Sequence, residues 1–449
     1  MMKKQLKRGI AILAVLVMLL NGLTIASFAD EQMQGDGTEG NPYVVTTAAQ
    51  LAELGEKDEV GYVRLGNDID MTDIAAKQCI IKKLTGEFNG RGHTISNLTL
   101  AGGKGSSRWD TGTVYVNTGL IGELSGTVRD VKLTNVTIES GIDQYNNVGT
   151  LVGQITDGES AVVDNCIVSG GKISVTNDKS NICIGGLVGM MNGGEDAPTS
   201  LAVNNCISDV AAVGKNQSYI GGILGSAKYY SDVVVRRCAV FGSNGGSAVR
   251  LGGNGGIVGW FVTGANATLD ISDSIFAGTL GGSRKYGIAY NQSSLKALKC
   301  SNFYYDSDKN SSSAYNTFEM LKSGTVTGAE GKSTAELKAL TLDGFETNEE
   351  FGGYPVPKWT PSEAPAEYSA VLDNDGNVVV SAAESGDYLV VFAAHRGGCL
   401  TGCAIVTQTL EKGKTVTVTA PESFNKTGAD SVRVMLWSTA MQPFAASQQ

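Results

Sequence analysis

Histidine is nearly missing from this chain: there are two in 449 residues, His93 and His395. They fall in separate regions, so a Ser-His-Asp or Cys-His nucleophilic site, which needs its histidine beside the nucleophile, is close to excluded. Proline is scarce too, at 8, which rules out a collagen-like chain or a long Pro-rich linker. Charged residues make up 18% against a usual ~25%, while apolar residues reach 42%; general disorder needs the opposite balance. Beyond residue 29 no apolar run reaches the ~20 residues of a membrane span, so none is predicted there. Positive charge is in deficit as well: 35 Lys and Arg face 45 Asp and Glu, a formal charge of −10. An acidic surface repels phosphate backbones, so nucleic acid is not an expected partner.

What is abundant is glycine, 59 residues, close to twice the usual ~7%. Many glycines with few charges and few prolines point to a regular β architecture with tight corners. The first 29 residues stand apart. Lys3, Lys4, Lys7 and Arg8 precede an apolar stretch from Ile10 to Leu20, and Ser27-Phe28-Ala29 offers a small-x-small cleavage site. This is the anatomy of a secretory signal peptide. Its removal would take away those four positive charges and leave −14. The expected location is secreted or extracellular, with cell-wall association left open.

A Gly-apolar motif recurs through the middle of the chain. It closes at Gly122, Gly153, Gly189, Gly225, Gly259 and, in a decayed copy, Tyr290, at spacings of 31, 36, 36, 34 and 31. Two places earlier stand Leu120, Leu151, Leu187, Ile223, Ile257 and Ile288; one place earlier the residue is always apolar. A second column follows at Val131, Cys166, Cys206, Cys238, Ser274 and Phe303, preceded by Asn165, Asn205, Arg237, Asp273 and Asn302. Each unit thus holds two short β-rich pieces, too short for helices of 3.6 periodicity. A unit of this size buries its apolar side only by stacking on its neighbours. The expected fold is all-β: a right-handed parallel β-helix with coils ~4.8 Å apart. Leu187, Ile223, Ile257, Cys166, Cys206 and Cys238 form its internal ladder.

The G-G-[LI]-[VL]-G and N-C-I pieces resemble the GLUG motif, a repeat of bacterial secreted and surface proteins. The stretches Asn41–Val45, Thr47–Leu51, Leu65–Asp70 and Gly86–Ile95 are similar to the leader that usually precedes such repeats, so the likeness runs over about residues 35–360. It implies a role in adhesion or at a surface, with no particular ligand. The loss of glycine at Tyr286–Asn291 suggests that the stack ends there.

The expected organisation is a signal peptide (1–29), a linker (30–40), an N-terminal cap with the first coils (41–117), the repeat β-helix (118–306), a C-terminal cap and linker (307–367) and a β-sandwich (368–449). Thr47 with Gln50, and Ser333 with Glu336, are capping-box signatures for short helices covering the two ends. Tyr354–Trp359 reads as extended chain leaving the solenoid. Period-2 alternation with turn signals over the last ~80 residues indicates about six antiparallel strands. The final segment, Asp430–Pro443, is similar to a small module of clostridial-type surface proteins.

Candidate chemistry is sparse. Stacked cysteines would carry parallel Cβ atoms ~4.8 Å apart, wider than a disulfide accepts, so buried thiols are expected. Cys399 and Cys403 at a hairpin tip leave a disulfide open. Asp306–Asn310 and Asp373–Asn377 alternate oxygen ligands without a complete calcium loop, and turn chemistry accounts for them. Arg237 and Asp273 read as a surface ion pair, and His93 as structural. No metal or cofactor is expected.

Exposed aromatics are the best binding candidates. Trp260 and Phe261 follow one Gly motif and Tyr229 and Tyr230 the previous one, placed on adjacent coils for sugar stacking. The expected function is that of a secreted, non-enzymatic, adhesin-like surface protein. Its β-helix platform would bind an extracellular glycan or a host or bacterial surface protein. The alternative is a polysaccharide lyase or glycoside hydrolase on the same fold, which requires converging carboxylates.

Overall fold

The computed structural model describes residues 33–446 apart from 103–106, 109–113, 141–144, 177–181, 216–217, 246–252, 263–265, 282–283, 292–294, 312–316, 322–325, 362–368, 373–376, 383–384, 397–398, 412–413, 422, 426 and 440–442. The expected leader, most of the expected 360–367 linker and the acidic loop at 373–376 fall outside the described residues. Two compact units divide near residue 365.

The first unit is a parallel β-helix. Its strands pair in parallel one coil apart: Val152 with Ile121 and Val188, Val188 with Leu224, and Leu224 with Val258. A second ladder runs through Val128, Val163, Val203, Val235, Ile271 and Cys300. Between motif copies the backbone continues the stack: Leu187 N–H donates to Ile223 O and Ile223 N–H to Ile257 O, at 3.1 and 3.0 Å. These residues, with Val163, Val203 and Val235, are fully buried. Each such aliphatic side chain contributes about 1.5–3 kcal/mol on leaving water.

The motif glycines serve close packing rather than turning. At the motif the chain doubles back, and two backbone layers meet with no side chain between them. A Cβ on Gly189 would lie 2.4 Å from Gly153 O and 2.5 Å from Val148 N; one on Gly225 would lie 2.5 Å from both Gly189 O and Ile184 N. Any other residue would push the layers apart.

The column ahead of the cysteines marks a corner. Asp130, Asn165, Asn205, Arg237, Asp273 and Asn302 all take the left-handed conformation, with φ between 48° and 56°. Asn and Asp tolerate it best among residues with a side chain. Asn165 Nδ2 donates to Asp130 Oδ1 at 2.6 Å, Asn205 Nδ2 to Asp164 Oδ1 at 2.9 Å and Asn302 Nδ2 to Asp273 Oδ1 at 2.8 Å. The expected Arg237–Asp273 ion pair is therefore absent: Asp273 accepts from Asn302, and the neighbouring Arg236 approaches Asp270 at 3.5 Å.

Just past this corner Cys166, Cys206 and Cys238 are buried free thiols. Each donates to the carbonyl two residues back, at 3.2, 3.0 and 3.3 Å, as Ser274 Oγ does to Ser272 O at 2.8 Å. At these four positions a small side chain returns a proton to its own corner, whereas Val131 and Phe303 fill the same column with apolar bulk alone.

The decayed motif does not end the stack. Tyr290 pairs with Trp260 rather than with Gly259, through a register shift that removes the glycine position. Strands Thr317–Leu321 and Ala329–Lys332 then add a further coil.

The N-terminal helix, Ala48–Glu53, is capped by Thr47, whose Oγ1 accepts from Gln50 N–H at 3.2 Å. Gln50 Oε1 accepts from Thr46 N–H, and Leu51 and Leu54 enter the core. The second helix, Thr334–Lys338, carries the full Ser333–Glu336 capping box. Beyond it the chain departs from the expected path. Tyr354–Pro357 does not leave the solenoid; it pairs antiparallel with Phe345–Asn348. This hairpin lies back along the flank, where Phe345, Phe351, Tyr354 and Val356 cover Ile167, Ile207, Ala239 and Ile275. Glu350 reaches Lys132 at 3.2 Å and Ser169 at 2.7 Å, and Trp359 Nε1 donates to Asn165 O at 2.9 Å.

The second unit is an antiparallel β-sandwich. One sheet joins Ser369–Leu372, Asn377–Ser381 and Thr415–Thr419; the other joins Gly386–Arg396, Cys399–Leu410, Ser431–Ser438 and Pro443–Ala446. Val378, Val380, Val390, Phe392, Val434 and Leu436 meet between them. Cys399 and Cys403 are free thiols on one strand. Four residues of extended chain span ~13 Å, beyond disulfide reach.

Candidate functional site

The doubled-back Gly motif places two facing columns at its outer edge. One carries Asn117, Asn147, Cys183, Tyr219 and Gly253, in register coil upon coil. The other carries Glu123, Gln154, Met190, Ser226, Trp260 and Tyr290. The first coils present carboxylate and amide, the middle ones sulfur and hydroxyl, the last ones aromatic rings.

At the aromatic end Tyr219 and Trp260 stack, with centroids 4.0 Å apart and planes 12° from parallel. Tyr290 lies 5.1 Å from Tyr286, and both pack with that pair. Gly253 makes room, since a Cβ there would lie 2.5 Å from the Tyr290 ring. Trp260 stays half-buried, and among the described residues its indole N–H has no hydrogen-bond partner.

Of the four aromatics singled out by sequence, only Trp260 belongs to this cluster. Phe261 is fully buried in the core, because the side chain after Trp260 points the other way. Tyr229 and Tyr230 are half-buried at a corner, Tyr230 with φ 45°, where their carbonyls accept from Gly193 and Thr199 N–H. They do not line up with Trp260. Sequence reasoning missed Tyr219, 41 residues upstream and ahead of the motif on its own coil. The signal that could have found it is its column, occupied by Gly253 one repeat later.

At the polar end Asn117 Nδ2 donates to Glu123 Oε1 at 3.0 Å, and Asn147 Nδ2 donates to Asn117 Oδ1 at 2.9 Å and Gln154 Oε1 at 3.2 Å. Gln154 and Asn192 then donate to Asp157, at 3.2 and 3.0 Å. Burial pushes the Glu123 carboxyl up from its ordinary range, against the pull of the Asn117 bond and Lys83. Desolvation raises Asp157 in the same direction, against its two amide donors. Glu123 also borders a cavity of about 310 Å³ shared with Gln78, Cys79 and Lys82. Burial drives the Cys79 thiol to about 11, so it is not a nucleophile near neutrality. Upward shifts of this kind, at Glu123 and Asp157, move a carboxyl toward the range in which general acids work.

Other expected sites resolve into structure. His93 Nδ1 lies 3.3 Å from Asp68, and burial lowers its pKa despite that neighbour. In the acidic turn Asp306 accepts from Asp308 and Lys309 N–H, Thr334 Oγ1 and Tyr354 OH, which makes it a hub of hydrogen bonds. Among the described residues, no group of three or more His, Cys, Asp or Glu is arranged to hold a metal ion.

No family model matches the chain. Halomucin of Haloquadratum walsbyi is 28% identical over 204 residues, which is 43% of this chain and 2% of halomucin. The chain therefore spans a small fraction of that relative. A crystal structure of a proposed immunoglobulin A1 protease from Bacteroides ovatus covers 73% of this chain and 95% of its own, at 20% identity and a TM-score of 0.47. No helix among the described residues is long and apolar enough to cross a membrane.

Proposed function

We propose that this chain is a secreted, non-enzymatic surface protein of the GLUG-repeat type, whose β-helix is a stiff platform that binds an extracellular glycan. The observation that carries the reading is the Tyr219–Trp260 stack, in which buried Tyr219 backs the Trp260 ring face to face from the adjacent coil while Trp260 stays partly open to solvent. Sugar rings pack their C–H faces on open aromatic faces, and a partly exposed tryptophan held in a preset stack contributes area at little entropic cost. The leader-like first 29 residues support an extracellular setting, and the likeness to halomucin is in keeping with it. The test is a glycan-panel screen of the chain beside Trp260→Ala. Saturable binding that weakens in the variant supports the reading; uniformly blank binding overturns it.

A second reading, cleavage of a polysaccharide, draws on the raised Glu123 carboxyl and its neighbour Asp157. It requires new reducing ends to be released from an acidic or neutral polysaccharide, and their loss in Glu123→Gln.

A further inference from the structure

Where the 344–360 segment crosses the left-handed corners, it forms with them an open cavity of about 250 Å³. Two cations line it from opposite elements: Arg237 from a corner and Lys358 from the crossing segment. Both are exposed, and among the described residues neither side chain takes part in an ion pair or hydrogen bond. Arg237 is also an anomaly in its column. Adjacent corners use Asn205 and Asp273, which suit positive φ, whereas Arg237 sits at φ 48° with the same backbone bond to the next coil but, among the described residues, no side-chain bond such as Asn165, Asn205 and Asn302 make. A side chain that adds nothing to a costly corner conformation, where its neighbours are Asn and Asp, is a pointer to function.

The rest of the lining narrows the ligand. Asp130 and Asp164 put two carboxylates in the same cavity. Asp130 is already met by Arg129 at 2.7 Å and by Asn165. Asp164 accepts one bond from Asn205, and the Oδ1 atoms of Asn165 and Asn205 accept none from described residues. These oxygens are acceptors for hydroxyl groups. With Asp130 paired to Arg129, two cations face the one remaining carboxylate of Asp164, a net single positive charge that suits a ligand of single negative charge; a doubly charged phosphate would meet the aspartates. The volume falls below the usual range for drug-sized ligands and fits one small polar unit.

We propose that this cavity is a subsite for one carboxylate-bearing sugar residue, with Arg237 and Lys358 on the carboxylate and Asp164, Asn165 and Asn205 accepting from its hydroxyls. It is separate from the aromatic pair, so it stands or falls without Trp260.

The test is calorimetric titration of the full chain with D-glucuronate, with D-glucose as the neutral control and inorganic phosphate as the dianion. Arg237→Asn places at that corner the residue type already found at Asn165, Asn205 and Asn302, which keeps the fold; Lys358→Gln changes the other wall. The expected result is saturable glucuronate binding that weakens about tenfold or more in each variant, as loss of a charge-assisted bond predicts. Absence of glucuronate binding overturns the proposal, as does equal binding of glucose, tighter binding of phosphate, or affinity unaltered by both substitutions.

Discussion

The phenol of Tyr354 donates to Asp306 Oδ2 at 2.6 Å, tying the returning hairpin to a late coil of the β-helix. Asp306 is fully buried, and burial together with this carboxylate pushes the Tyr354 hydroxyl up to about 12. The bond is thus a neutral donor on a buried acceptor throughout the physiological range.

Tyr354→Phe should cost about 1–3 kcal/mol, the usual penalty for leaving a buried acceptor one partner short. Urea unfolding should show the loss, and limited proteolysis should cut faster between residues 340 and 360. An unchanged midpoint and cleavage pattern would mean that the apolar cover alone holds the hairpin.

Asn205 separates conformational strain from hydrogen bonding. Asn205→Ala should lose about 2 kcal/mol, combining the left-handed penalty with the bond to Asp164. Asn205→Gly should lose about 1 kcal/mol, since glycine accepts the conformation freely. Equal losses in chemical denaturation would remove strain from the account of this corner.

This corner also shows what the sequence made legible. The run Asn165, Asn205, Arg237, Asp273, Asn302 was visible as a column because a stacked coil repeats its geometry residue for residue. The aliphatic and thiol ladder was legible for the same reason. The Tyr219–Trp260 contact was not, because it joins different positions of two coils, and no repeat of identical residues announces such a diagonal. Nor was the path of Tyr354–Trp359: an extended strand reads the same whether it departs or folds back. Its direction is set by the apolar flank of Ile167, Ile207 and Ile275, which has to be covered.

Thiol chemistry should follow burial. Cys399 is exposed, whereas Cys166, Cys183, Cys206 and Cys238 are buried, with burial pushing Cys183 and Cys206 upward. At pH 8 an aromatic disulfide reagent should modify Cys399 rapidly and the four buried thiols only after unfolding. Fast reaction of the buried set in folded protein would contradict the packed column.

Glu123 predicts a pH effect of definite sign. Its carboxyl is raised in the fold, so the folded state holds the proton above pH 4.5, where the unfolded chain has released it. Stability contributed by this group therefore falls as pH rises from 4.5 through the folded pKa, and the deficit persists at pH 7. Glu123→Gln keeps an acceptor for Asn117 and removes the charge. Its melting temperature should exceed that of the parent at pH 7 and converge with it below pH 4.5. A difference independent of pH would show that the carboxyl is not perturbed.

The most direct measurement is equilibrium binding on a glycan panel, made with the chain and with Trp260→Ala under conditions where both give the same far-ultraviolet circular dichroism. The account predicts saturable retention on at least one glycan, about tenfold weaker in the variant, with no new reducing ends. Equal retention by both proteins, or depolymerisation in place of binding, would contradict it.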